Sequence, residues 1–95
     1  MSAYVIVDID IIDQATYDEY KQLSPATVAA YGGKYLTRGG RTEIMEGEWL
    51  PKRLVILQFE SVARARQWLD SPEYTAIKHL RHKATKTNMI VTEGV

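Results

Sequence analysis

The feature that most constrains this chain is the order in which its periodicity changes: strand, helix, strand, strand, helix, strand. The first strand pattern is the clearest. From Tyr4 to Ile12, Val5, Val7, Ile9 and Ile11 fall on one face and Tyr4, Ile6, Asp8, Asp10 and Ile12 on the other, because successive side chains of a strand point to opposite sides. The first face is wholly apolar and rich in β-branched residues, which suit a pleated surface. The second is apolar at its start and acidic further on.

Asp13 follows as a helix N-cap, since its carboxylate can accept from the free N–H groups of a first turn. Ala15 to Leu23 carries Tyr17, Tyr20 and Leu23 at helical spacing. Ser24-Pro25 predicts a break, with Ser24 capping a second segment that begins at Pro25 and ends near Tyr31, because proline is tolerated mainly at a helix start. Gly32-Gly33 stops it. Lys34 to Arg38 reads as the second strand, and Gly39-Gly40 as a bulge. Arg41 to Gly47 predicts an extended continuation of that strand, and Glu48 to Pro51 a turn.

Lys52 to Glu60 is the third strand. Its near-continuous apolar run, Leu54 to Leu57 with Phe59, is expected where both sheet faces are covered. Ser61 caps a helix over Val62 to Asp70. Ser71-Pro72 repeats the cap-and-proline device and starts another, from Pro72 to Lys83. Ala84 to Lys86 leads into a last strand, Thr87 to Glu93.

This order is the split βαβ pattern. Right-handed crossovers then leave one economical solution. It is an α+β, ferredoxin-like βαββαβ domain, with a four-stranded antiparallel sheet and all helices on one face. The chain is read as one domain over residues 1–95. The other sheet face carries Tyr4 and Ile6, with either Leu54 and Ile56 or Val55 and Leu57, and a face so apolar needs a cover. The expected cover is a second copy of the same sheet, giving a homodimer in which the arm from Arg41 to Pro51 embraces the partner.

Composition removes several function classes. There is no cysteine among the 95 residues, hence no disulfide framework, thiolate metal site or cysteine nucleophile. Lysine plus arginine and aspartate plus glutamate both number 12, so the broad basic field of a nucleic-acid binder is missing. No apolar run approaches the roughly 20 residues of a membrane helix. Met1-Ser2-Ala3-Tyr4 leads directly into a strand without the basic and apolar regions of a secretory signal. The expected location is the cytoplasm.

Several blocks together resemble a known bacterial family, domain of unknown function thirteen-thirty, of the dimeric α–β barrel superfamily. They are Ala26 to Gly40, Glu46-Gly47-Glu48-Trp49 with Pro51-Lys52-Arg53, Trp68 to Tyr74, and the closing Glu93-Gly94. The resemblance implies the dimeric barrel fold and no particular chemistry. Relatives in that superfamily include cofactor-free monooxygenases, isomerases and haem-handling enzymes, and fold alone does not choose among them.

In such a barrel a pocket is expected between the sheet and its helices. Tyr17, Tyr35, Trp68 and Tyr74 are the aromatic candidates to line it. Arg38 and Arg53, with Arg81 on the last helix, are the candidates to grip a carboxylate bidentately. The competing reading makes the aromatics core packing and pairs the arginines with Glu43, Glu46 or Glu48. His79 is the candidate general acid or base, since histidine titrates near neutral pH. Asp8, mid-strand on the mixed face, is the second catalytic candidate, because partial burial in a dimer raises a carboxylate pKa. His79 and His82 lie three apart without a third ligand and amid Lys78, Arg81, Lys83 and Lys86, so no metal site is expected. No organic-cofactor motif is present, so any chemistry is expected to be cofactor-free or to take the cofactor as substrate. Two functions remain: a small enzyme acting on an organic acid, and a non-catalytic, ligand-binding or stress-linked dimer.

Overall fold

Alternation in the first strand sets the architecture. Ala3, Val5, Val7 and Ile9 are buried, while Tyr4, Ile6 and Asp8 between them are only half-buried. The computed structural model describes residues 1–95, in the order β1 (Ala3–Ile11), α1 (Gln14–Ala30), β2 (Lys34–Arg38), β3 (Leu54–Phe59), α2 (Val62–Leu69), α3 (Pro72–Ala84) and β4 (Thr85–Glu93). The sheet order is β2-β3-β1-β4 with every neighbouring pair antiparallel. This is the ferredoxin-like α+β fold expected from the element order. No helix is long and apolar enough to cross a membrane.

Register places Val7 opposite both Val55 and Met89, and Val5 opposite both Leu57 and Val91. These rows form the floor of the core, and Tyr17, Tyr20, Val28, Ala65, Trp68, Tyr74 and Ala84 of the helices close it. The open alternative for β3 is thereby settled: Val55, Leu57 and Phe59 face the helices, and Leu54 and Ile56 the other side. On that other side Ile6 lies opposite both Ile56 and Ile90. Ile90 is 61% exposed and Leu36, on β2, 50%. An aliphatic row therefore crosses the uncovered face of the sheet.

The three caps form as the residue types require. Asp13 accepts from the Thr16 N–H at 3.2 Å, Ser61 from Arg64 at 3.0 Å and Ser71 from Tyr74 at 3.0 Å.

Three local expectations are corrected. First, α1 is not broken at Ser24-Pro25; it runs unbroken from Gln14 to Ala30 with Pro25 inside. Pro25 has no N–H to give to the carbonyl four residues earlier, but that carbonyl, of Lys21, accepts from Arg38 Nη2 at 2.6 Å. Second, Arg41 to Gly47 does not extend β2; residues 39–53 hold no helix or strand. β2 is an edge strand, and β3 begins only at Leu54, so the arm has no neighbour to pair with. Third, the register irregularity lies between Tyr35 and Thr37, not at Gly39-Gly40. Gly39 instead ends the strand at φ +72°, where a Cβ would collide with the Arg53 guanidinium.

Candidate functional site

The strand floor and the helix roof do not close completely. Between them, Val7 and Ile9 of β1, Val55 and Leu57 of β3, and Tyr17, Tyr20 and Ser24 of α1 surround a cavity of about 30 Å³. Tyr35 and Arg38 of β2, Trp68 of α2, Arg81 of α3 and Met89 of β4 complete the wall. No aspartate, glutamate or histidine lines it.

Its polar groups are organised around Arg81. This side chain is only 6% exposed, yet no carboxylate lies within ion-pair distance; the one ion pair in the chain joins Arg41 to Glu43 on the surface, at 2.8 Å. Arg81 Nε donates to the Tyr74 hydroxyl at 3.0 Å. The Tyr74 and Tyr20 hydroxyls are 2.7 Å apart. The arrangement in which Tyr74 in turn donates to Tyr20 leaves the Tyr20 proton for the cavity. Burial, reinforced by Tyr74, pushes the Tyr20 phenol well above its ordinary pKa, so Tyr20 stays a proton donor. Burial also raises Tyr35, whose hydroxyl is 3.2 Å from Ser24 Oγ.

Of the residues expected from the sequence, Tyr17, Tyr35, Arg38, Trp68 and Arg81 meet at this cavity. Tyr74 stands behind the wall, fully buried, with its ring centroid 4.3 Å from that of Trp68. Arg38 reaches the cavity while occupied with the Lys21 carbonyl and lies 4.8 Å over the Tyr35 ring. Arg53 is not brought to it. Its Nε donates to the Tyr17 hydroxyl at 3.2 Å, and it lines a separate groove at the hairpin mouth with Gly39, Gly40 and Lys52. Neither Arg38 nor Arg53 pairs with Glu43, Glu46 or Glu48.

The two catalytic candidates lie elsewhere. His79 is on the exposed face of α3, away from the cavity. Asp8 is on the uncovered sheet face, where it accepts from Trp49 Nε1 and from the Lys52 N–H, each at 3.1 Å. It therefore anchors the end of the arm.

Sequence reasoning passed over Tyr20, Ser24 and His82. His82 Nε2 is 3.4 Å from Arg81 Nη2. Arginine can only donate, so this contact is a hydrogen bond when the imidazole is neutral with its proton on Nδ1. Burial, then the charges of Arg81 and Lys78, lowers the His82 pKa and favours that neutral form. With Arg81, Thr85, Thr87 and Met89, His82 borders a shallow opening outside the cavity. Helical phase could have found it: Tyr74, Arg81 and Ala84 define the buried stripe of α3, and at 100° per residue His82 flanks that stripe while His79 falls farther round.

The fold has solved relatives. A protein of unknown function from Rhodopseudomonas palustris is similar with a TM-score of 0.81 at 16% identity, over 99% of this chain and 82% of that one. SnoaB, a cofactor-independent oxygenase from Streptomyces nogalater, gives 0.68 at 8% identity, over 99% and 93%. A dimeric protein of unknown function and ferredoxin-like fold from Bacteroides fragilis gives 0.64 at 13%, over 98% and 96%. At such identities these likenesses concern the fold. No curated protein matches the sequence. The family model described as Domain of unknown function (DUF1330) does, over residues 2–95, and this chain belongs to that family.

Proposed function

We propose that the chain forms a homodimer that binds a small organic acid in the cavity between sheet and helices, with Arg81 receiving the carboxylate. The observation that carries this reading is the buried Arg81 guanidinium without a carboxylate partner. A buried charge is costly unless paired, and here every polar side-chain group at the cavity is a cation, a hydroxyl or the Trp68 indole N–H. An incoming carboxylate supplies the missing charge, Tyr20 donates to it, and the aromatic walls enclose it. Tyr17, Tyr35 and Trp68 serve as walls, Tyr74 orients Arg81, and Arg38 holds the cavity's edge beside α1. Arg53 lies outside this binding role. The aliphatic row through Ile56, Ile6 and Ile90 supports the dimer, since a second sheet would cover it.

The test is calorimetric titration with benzoate and with its neutral isostere benzamide. Benzoate is expected to bind and benzamide to bind at least tenfold more weakly. Equal affinity, or no heat with benzoate, removes the carboxylate-at-Arg81 reading.

A second reading adds turnover. His82, which meets Arg81 at the opening outside the cavity, favours it: a neutral imidazole can take a proton from the carbon next to a carboxylate that reaches Arg81 from that opening and return it to another carbon of the same molecule, an isomerase-like step needing no cofactor. A cofactor-independent oxygenase, SnoaB, shares the fold, which is compatible with turnover at such a site. His79 and Asp8, away from the cavity, are not given this role. Deuterium uptake by a bound acid in D₂O, lost in His82→Gln, separates turnover from binding alone.

A further inference from the structure

A cavity of about 30 Å³ has room for a water or two, about the size of a carboxylate group and no more. A ligand at Arg81 therefore needs room from an adjoining space. Such a space exists. Between α2 and the edge strand β4 lies a second, apolar pocket of about 100 Å³, walled by Val5, Ala65, Leu69 and Val91, with Arg66 at its rim. That is of the order of the roughly 150 Å³ dry cavity that accepts benzene in another protein.

Only two side chains, Trp68 and Met89, border both spaces. Met89 alone also borders the shallow opening beside Arg81 and His82. The two shared residues differ in freedom. Trp68 is 2% exposed, and its indole is held by a 3.1 Å bond from Nε1 to Thr27 Oγ1 and by Phe59 and Tyr74 against its faces. Met89 is half-buried on a strand with one neighbour, β1, and its thioether can neither donate nor strongly accept. An unbranched side chain with three rotatable bonds adapts to gaps of different shape.

We infer that Met89 is a gate: when its side chain moves, the Arg81 cavity and the α2–β4 pocket become one channel, and the ligand is an amphipathic acid whose carboxylate lies at Arg81 and whose hydrocarbon body fills the apolar pocket. This rests on the proposed carboxylate binding at Arg81 and adds the ligand's apolar tail and the residue that admits it. Met89 is a specificity-determining residue and takes no part in proton transfer. The polar end of the channel is walled by donors and the distal end by aliphatic carbon, so the polarity of the space matches a fatty or arylalkanoic acid of modest length.

The test is affinity against chain length, using acetate and octanoate on the intact protein. Each buried methylene strengthens binding by about fourfold at most, so octanoate is expected to bind at least tenfold tighter than acetate. Ala65→Leu narrows the apolar pocket without bordering the Arg81 cavity, and is expected to abolish the octanoate advantage while leaving acetate unchanged. Met89→Phe, which stiffens the gate, is expected to abolish the octanoate advantage as well, and Met89→Ala to preserve or enlarge it. Two folded variants on opposite walls keep the test open should one fail to fold. Acetate and octanoate binding alike, or an octanoate advantage untouched by every variant, overturns the gate and leaves carboxylate binding at Arg81 standing. Binding of neither acid overturns both.

Discussion

Arg38 donates from Nη2 to the backbone carbonyl of Lys21 at 2.6 Å, the carbonyl that Pro25 leaves without its helical donor. A side chain from the edge strand thus completes a helix interrupted by proline, and β2 is tied to α1 beside the cavity. Arg38→Met is expected to lower unfolding free energy by about 1 kcal/mol. In a Pro25→Ala background, where residue 25 regains an N–H, the same change is expected to cost less than half as much. Urea denaturation of the four proteins measures the coupling; equal costs in both backgrounds would show that Arg38 does not serve the helix.

Arg81 and Tyr74 are expected to respond in opposite ways. A buried charge without an ionic partner is itself costly, so Arg81→Met, which removes the charge and keeps much of the length, should stay within about 1 kcal/mol of the parent. Tyr74→Phe removes the oxygen that Arg81 Nε and Tyr20 share, and should cost about 1–3 kcal/mol. A severe loss in Arg81→Met together with a mild one in Tyr74→Phe would reverse this assignment.

The raised Tyr20 pKa has a signed consequence. An unfolded tyrosine ionises near pH 10, whereas folded Tyr20 resists ionisation because it is buried and faces Tyr74. Below pH 10 both states keep the proton and the contribution to stability is complete. Above it, the unfolded chain releases a proton that the folded chain retains, so stability falls as pH rises. The parent should therefore lose more stability between pH 9 and pH 11 than Tyr20→Phe does, as read from urea midpoints at the two pH values. Identical losses would mean that Tyr20 ionises normally.

The uncovered sheet face predicts an effect on assembly. Ile56 sits between Ile6 and the β2 edge on the aliphatic row, and a lysine there would place a charge at the centre of the proposed interface. Ile56→Lys is expected to sediment as a monomer at concentrations where the parent is a dimer, with its circular dichroism unchanged. A parent that sediments as a monomer at micromolar concentration removes the dimer from the proposal.

Much of the architecture was legible because it depends on short-range periodicity. The alternation in β1, the caps at Asp13, Ser61 and Ser71, and the order of elements each follow from residue type and spacing. The cavity was legible in part. Tyr17, Tyr35, Trp68 and Arg81 read as pocket residues because aromatic and guanidinium groups are the usual material of such sites. Choosing His82 over His79 required the rotational phase of α3, and knowing that Arg53 turns to Tyr17 required the hairpin's path.

The two Ser-Pro dipeptides show where sequence stops and tertiary structure begins. Alone, each is a helix-breaking signal, and at Ser71-Pro72 the signal holds: Ser71 Oγ donates to the Trp68 carbonyl and accepts from the Tyr74 N–H, closing one helix and opening the next. At Ser24-Pro25 the same two residues sit inside a continuous helix, because Ser24 Oγ faces Tyr35 and Arg38 satisfies the orphaned carbonyl. The sequence by itself determined the periodicities, the caps and hence the fold. Tertiary structure alone decided which proline breaks a helix and which arginine lies buried without a counter-charge. Both depend on polar partners that are distant in the chain and adjacent only after folding.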